Sequence, residues 1–288
     1  MPVKRLEDET KKRLRKQGLT LEVLNEKLTA VTWKARSGLR SRWLGRRSRA
    51  REFAAEGAEV FLSGRNQVRI EEVKRCIEEA GGRAHADAVD ALDETAVQTY
   101  VDSVMERAGG VDIVFNVIGP KATEYGTAKH ALDLTIDEYM VALSTVVKSC
   151  IITARAAARH MVKQHSGVII GLTGSPARGH VQGATSIGTA FGAIETFLEN
   201  LAFELGPQGV RVVCLRITAN ADSHAIRTTA RAASVPEEQW SAGLANMNFL
   251  KTPMHVADTA KAATLIASDR FRLLTGTVVN SSAGAAMD

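Results

Sequence analysis

The stretch Ser186–Leu215, SIGTAFGAIETFLENLAFELGPQGVRVVCL, decides the fold. Small and apolar residues recur at helical spacing from Ser186 to Leu205, and Gly206-Pro207 stops the pattern because proline offers no amide to continue it. Val210–Leu215 (VRVVCL) then reads as a buried strand of β-branched residues. Working upstream, Gly167–Leu172 (GVIIGL) is strand-like and Ile136–Lys163 is one long helical pattern. Before these come a strand at Val111–Phe115 (VDIVF), a helix at Glu94–Ala108 stopped by Gly109-Gly110, and a weaker strand at Ala84–Val89. Further upstream a helix at Val68–Ala80, closed by Gly81-Gly82, follows a strand at Glu59–Ser63 (EVFLS). Downstream, Val256–Ser268 is helical and Thr277–Asn280 is a last strand. Short apolar strands alternating with longer helices imply right-handed βαβ crossovers and a parallel sheet covered on both faces. The expectation is a single doubly wound α/β domain whose ligands bind beyond the carboxyl ends of the strands.

A chain of 288 residues, 45% hydrophobic and 24% charged, can bury a core without disulfides or metals. Cys76, Cys150 and Cys214 lie far apart and suit a reduced, cytoplasmic protein. The sequence shows no run of about 18 apolar residues of the kind that spans a membrane, and from Lys4 onward the N-terminus is charged, without an apolar signal core. The net charge of +5 is unevenly placed. Residues 1–51 hold 16 Lys and Arg against 5 Asp and Glu, leaving 21 against 27 for the rest. The basic character therefore belongs to the first fifth of the chain, which weakens a nucleic-acid reading of the whole. Residues 1–27 read as a charged helical extension, Leu28–Thr32 (LTAVT) as a first strand, and Trp33–Arg51 as an atypical arginine-rich segment with eight Lys or Arg and no acid.

Residues 52–288 resemble the short-chain dehydrogenase/reductase family, whose fold is Rossmann-like. Arg51–Ser63 (REFAAEGAEVFLS) is similar to that family's first helix end and second strand. Asn116-Val117-Ile118-Gly119, after VDIVF, matches its Asn-Asn-Ala-Gly turn at the first and last residues. Phe203–Val213 (FELGPQGVRVV) closely resembles its Glu-Leu-Gly-x-x-Gly-Ile-Arg-Val segment, and Ala267–Thr277 with Gly284 resembles its last strand region.

What the resemblance implies for a cofactor falls on named residues. The second strand ends Ser63-Gly64-Arg65 without an acid, and an arginine there accommodates the 2′-phosphate of NADP, whereas an acid would select NAD. The alternative is a solvated loop arginine. Asp90, followed by Ala91, matches the family's adenine contact, and a helix N-cap is the other reading. Asn116, Val117, Ile118 and Gly119 match the turn beside the cofactor ribose.

Elsewhere the pattern departs from the family. Its phosphate loop, Thr-Gly-x-x-x-Gly-x-Gly, lets backbone amides approach the pyrophosphate, but WKARSGLRSRWLGRRSRA after Thr32 lacks that glycine spacing. The family's catalytic tyrosine and lysine align with Ile187 and Phe191, its substrate-polarising serine with Gly174, and its supporting asparagine with Val146. None of these four can transfer a proton. Tyr125-x-x-x-Lys129 satisfies the tyrosine–lysine string but precedes the long helix and reads as a surface-loop match. Ser175 and His180, just past the fifth strand, are the candidate catalytic substitutes: a hydroxyl to bond a carbonyl and an imidazole to move protons, against the alternative of a turn serine and a loop histidine. No Cys/His cluster has metal-ligand spacing.

Leu39–Ala50, back-translated with permitted codons and read one base later, gives Ser-Gly-Ala-Gly-Gly-Ser-Val-Gly-Ala-Val-Ala. That string is similar to the family's phosphate loop, so Trp33–Ala50 reads as a frame-shifted stretch; the alternative is a genuine basic extension. By resemblance the function is NADP-linked oxidoreduction of a carbonyl or alcohol, with NAD the other dinucleotide. The second reading is a catalytically silent protein of this fold acting as a binding or oligomer partner. Nucleic-acid or membrane-surface binding through residues 1–51 is the third. The expected partners are a small-molecule substrate and a second copy of the chain, packed through Ile136–Lys163 and Ser186–Leu205. The substrate-pocket segment Ser223–Met247 reads as a loop-helix region without a diagnostic motif.

Overall fold

Seven strands form one sheet. In chain order these are β1 (Ala30–Lys34), β2 (Glu59–Gly64), β3 (Arg83–Ala88), β4 (Ile113–Asn116), β5 (Gly167–Gly174), β6 (Val210–Ile217) and β7 (Thr277–Ser281), and they lie side by side in the order β3-β2-β1-β4-β5-β6-β7. The computed structural model describes residues 30–34, 49–120, 124–127, 129–179, 181–232 and 235–288. The helical extension expected over residues 1–27, and all of the arginine-rich segment but Trp33, Lys34 and 49–51, lie outside the described residues.

Helices cover both faces. On one side, α1 (Arg49–Ala55), α2 (Gln67–Glu78) and α9 (Val256–Ala267) bury Phe53, Ile70, Val73, Ile77 and Ile266 against Val60, Leu62, Phe115 and Leu215 of the sheet. On the other, α3 (Glu94–Ala108), α5 (Lys148–Gln164) and α6 (Thr185–Leu205) bury Val97, Val101, Val104, Met161, Ile194 and Leu198 against Phe61, Val114, Ile169 and Val212. The α3 boundaries follow local chemistry. Asp93 caps the start by accepting from Ala96 N, and Gly109 closes the end at φ 70°, a left-handed turn that glycine makes without a Cβ clash.

The long pattern from Ile136 divides into α4 (Ile136–Ala142), a π turn at Leu143–Val147, and α5. By length and composition, an 18-residue window within Ile136–Gln164 is apolar enough to cross a membrane, although the stretch holds no unbroken run of about 18 apolar residues. Half of that apolar window is buried inside the fold, where α5 packs on α3 and β5 as a core helix does. Between β6 and α9, the segment read as a loop-helix region forms two helices, α7 (His224–Ala232) and α8 (Glu237–Asn246).

The expectation of an all-parallel sheet fails at β1. It pairs antiparallel with β2 (Thr32 opposite Phe61) and with β4 (Thr32 opposite Val114), while every other neighbouring pair is parallel. A strand in that slot satisfies the backbone donors and acceptors of both β2 and β4 whichever way it runs. What normally imposes direction is the tight turn into the crossover helix, and the glycines for that turn are missing from the sequence after Thr32. Consequently Lys34, the last residue of β1, sits opposite Glu59, the first of β2, at the edge away from the strands' carboxyl ends.

Candidate functional site

The carboxyl ends of β2, β4, β5 and β6 line the edge where ligands of this architecture bind. Ser63 and Gly64 are buried at the end of β2, and Arg65 follows, exposed. Gly64 pairs with Ala88 of β3, and its carbonyl accepts from Val89 N at 3.1 Å, which draws Asp90 to the same edge. Asp90 is exposed and its Oδ1 accepts from Leu92 N at 3.0 Å, while Ala91 is buried. Asp90 is not a helix N-cap: Asp93 caps α3, and Asp90 shapes the turn ahead of it.

Asn116 ends β4 and is 7% exposed. Its amide donates to Ser149 O at 3.1 Å and to Thr153 Oγ1 at 2.6 Å, and its oxygen accepts from Ile118 N at 3.1 Å. The side chain thus ties the turn Asn116–Gly119 to α5 just past the π turn. At Gly119 an added Cβ would meet nothing within 4 Å, so the space beside that backbone is open.

The structure brings Val146, Gly174, Ile187 and Phe191 to one place, and that place is apolar. Val146 lies in the π turn, 2% exposed, and Ile187 on α6 is 9% exposed; both belong to one core cluster, with Phe191 packed against it. A Cβ on Gly174 would stand 2.8 Å from the Phe191 ring, so a serine there cannot coexist with the ring where it is. Ser175 is buried at the head of a short 3-10 turn, Ser175–Ala177, and its carbonyl accepts from Arg178 N and Gly179 N. His180 lies outside the described residues.

Tyr125 is less peripheral than its string suggested. Its carbonyl accepts from Ser186 Oγ at 2.9 Å, and the residue is half-buried against the core at the start of α6. Burial pushes its phenol pKa up, with Thr127 opposing. Lys129 instead pairs with Glu138 at 2.5 Å on the exposed side.

Beside this apolar cluster runs a groove of about 380 Å³, formed by Pro176, Ala177 and Val181 against Thr185, Gly188 and Thr189 of α6. The Thr189 hydroxyl shares a 2.7 Å hydrogen bond with that of Tyr139 on α4. At the start of α1, burial lowers the Arg49 pKa to about 10 against the opposing pull of Asp222, and its Nε is buried without a hydrogen-bond partner.

Sequence reasoning missed the principal polar feature of this edge. Glu195 of α6 and Arg216 of β6, each 1% exposed, form a two-pronged pair: Nε to Oε1 at 2.8 Å and Nη2 to Oε2 at 2.9 Å. Thr173 Oγ1 donates to Glu195 Oε1 at 3.0 Å. The signal was present, because Glu195 falls at i+4 from Phe191 on the buried face of an apolar helix and Arg216 interrupts an apolar strand. Cys150 and Cys214 are buried thiols whose pKa values burial pushes up, that of Cys150 to about 12, so neither is a nucleophile. Among the described residues no three His, Cys, Asp or Glu gather as a metal site.

A family model described as enoyl-(acyl carrier protein) reductase matches residues 46–286. The chain belongs to the short-chain dehydrogenase/reductase family. The match begins inside the arginine-rich segment, after the place of the family's phosphate loop. A short-chain reductase protein, NovJ of Streptomyces niveus, is 32% identical over 163 residues, covering 57% of this chain and 60% of that protein. The 7alpha-hydroxysteroid dehydrogenase of Escherichia coli K12 is 28% identical over 160 residues, covering 56% and 60%. The matched part thus spans about three-fifths of these relatives. Among solved structures, sorbitol-6-phosphate 2-dehydrogenase of Erwinia amylovora has a TM-score of 0.75 at 19% identity over 83% of this chain and 94% of that one. Actinorhodin polyketide ketoreductase with NADPH has a TM-score of 0.75 at 17% identity over 82% and 90%. These likenesses establish the fold.

Nicotinamide dinucleotides are the family's cofactors, and the residues present fit one only in part. The β2 end offers an exposed guanidinium at Arg65, and the turn after β4 offers open backbone at Gly119. The described residues supply no amide cradle for the pyrophosphate, since β1 ends at the far edge, and no proton-carrying side chain stands at the four relay positions. Val146, Gly174, Ile187 and Phe191, the residues aligned with the family's relay, carry no group that could take part in its tyrosine–lysine proton transfer.

Proposed function

We propose that the chain is an NADP-linked oxidoreductase acting on a carbonyl or alcohol substrate. The observation that carries this reading is the end of β2, where Arg65 stands exposed and no acid competes for the ribose. A guanidinium there can fork onto a 2′-phosphate, whereas a carboxylate would repel it. The neighbours with bound cofactors include both an NADPH complex and an NAD+ complex, so the fold alone does not choose and Arg65 is the deciding residue. Fluorescence titration with NADPH and NADH tests it. Tighter binding of NADPH, lost in Arg65→Glu, is expected; equal affinities for the two in the unaltered chain would overturn it.

The packing of Phe191 on Gly174 favours a second reading, a catalytically silent member acting as a binding or oligomer partner. NADPH binding without hydride transfer to a panel of aldehydes and ketones selects this reading. Turnover selects the first and calls for a proton donor other than the family's, with Ser175 and His180 the residues to substitute. A homo-oligomer through α4–α5 and α6, in a cytoplasmic and reducing setting, belongs to either reading. The oligomer is supported by the exposed apolar side chains Ile136, Met140 and Phe203 on these helices, and the reducing setting by the three free cysteines.

A further inference from the structure

The Glu195–Arg216 pair leaves one part of the arginine unused by its partner. Arg216 Nε and Nη2 are both given to Glu195, and Nη1 points away from it to the carboxylate of Asp288. The contrast in burial is sharp: the Arg216 side chain is 1% exposed and that of Asp288 58%. Asp288 follows β7 at the end of a short return. That return is pinned at Ala286, whose amide donates to Ser282 Oγ at 3.2 Å and whose carbonyl accepts from Asn280 Nδ2 at 2.8 Å. Beyond Ala286, Met287 is 70% exposed, and the Asp288 carboxylate accepts from Arg216 Nη1 and, at 3.3 Å, from Asn280 Nδ2.

The site around that carboxylate is built by the sheet. Thr173, Arg216 and Asn280 are register partners across β5, β6 and β7 and form one polar row. Arg178, on the loop after β5, adds a second guanidinium, its Nε 3.6 Å from Glu195 Oε2. Two cations against the single buried anion Glu195 leave a surplus positive charge, which Asp288 neutralises. Arg178 is flanked in sequence by Ala177 and Gly179, which line the groove beside α6, and the chain at Ala285 and Ala286 lies against Gly179. The anion position and the groove are therefore neighbours.

We propose that Arg216 and Arg178 form a binding site for the carboxylate of a small organic acid, and that the Asp288 side chain is its resident, displaceable occupant. The class follows from the charges. Surplus charge near +1 suits a monoanion, while Glu195 beside it disfavours a phosphate dianion. The free edge of a guanidinium also matches a planar carboxylate. The adjoining groove of about 380 Å³, with Pro176, Ala177 and Val181 on one side and Thr185 and Thr189 on the other, has room for a chain of a few carbons along its apolar side. The site shares no residue with those assigned to the dinucleotide, Ser63–Arg65, Asp90, Ala91 and Asn116–Gly119, so its test does not require cofactor binding.

Calorimetric titration with sodium butyrate, compared in the full chain with Asp288→Ala and Asp288→Asn, tests it. An occupant that fills the site nine-tenths of the time lowers apparent affinity about tenfold, so each variant is expected to bind butyrate about tenfold more tightly. Arg178→Ala in the Asp288→Ala background is expected to lose most of that gain, and neutral butyramide to show none. Unchanged butyrate affinity in both Asp288 variants overturns the proposal. So does an equal gain for butyramide, and tighter binding of inorganic phosphate than of butyrate overturns the assignment to monocarboxylates. A melting curve for each variant confirms folding. Asp288→Asn keeps the side-chain volume if Asp288→Ala proves unstable.

Discussion

At the scale of single residues, the site is defined by what Val146, Gly174, Ile187 and Phe191 exclude. The Phe191 ring occupies the volume that a Cβ on Gly174 would need, at 2.8 Å. Gly174→Ser is therefore expected to overpack the cluster and cost about 1–3 kcal/mol, read as a lower denaturant midpoint. An unchanged midpoint would mean that the ring moves freely and the position is open to a catalytic serine. Glu195 and Arg216 make the opposite case, a buried charge pair in which each partner depends on the other. Arg216→Met alone strands a buried carboxylate and is expected to cost about 3–5 kcal/mol, while Glu195→Leu with Arg216→Met restores much of that loss. Additive losses in the double variant would show that packing rather than charge is at stake. On the surface, the Asp102 carboxylate is held below the usual carboxylate range by its hydrogen bond from His160, with Gln98 adding to it. Its folded pKa lies below the unfolded value of ~3.9, so its contribution is full above that value and disappears as pH falls through the folded one. Asp102→Asn is expected to flatten the stability profile below pH ~4, by a small amount because the group is half exposed.

At the scale of elements, most boundaries were legible because local chemistry sets them. Asp93 and Gly109 bracket α3 as capping chemistry requires, and Asp93→Ala is expected to cost about 1 kcal/mol by denaturant melt. The π turn at Leu143–Val147 was not legible, since its residues carry an unbroken helical pattern and the extra residue is absorbed only where α5 meets Asn116. The direction of β1 was not legible either, because alternation along a strand reads the same both ways. The antiparallel register places Thr32 opposite Val114, so the pair Thr32→Cys and Val114→Cys is expected to form a disulfide on oxidation. Absence of that crosslink would argue for another register. The segment that would have fixed the direction is the arginine-rich one, and the coding DNA decides its origin. Codons that yield the glycine string one base later identify a shifted frame; codons that do not leave a genuine basic segment.

At the scale of the whole molecule, helices on both faces of a seven-stranded sheet give two cores, one on each side. Phe203, 86% exposed on α6, is where self-association would bury apolar surface, and Phe203→Glu is expected to shift the chain toward monomer in sedimentation velocity. A monomeric unaltered chain would remove the oligomer proposal. Read alone, the residues were enough for the α/β alternation, for the family resemblance, and for the lack of a proton-carrying side chain at Val146, Gly174, Ile187 and Phe191, because periodicity, caps and residue types are local properties. Only the tertiary structure decided that those four positions collapse into one apolar plug, that β1 runs against its neighbours, and that Glu195, Arg216 and Asp288 meet. Each of these depends on which residues distant in sequence share a volume, and on charges that must find partners once buried, which no local pattern encodes.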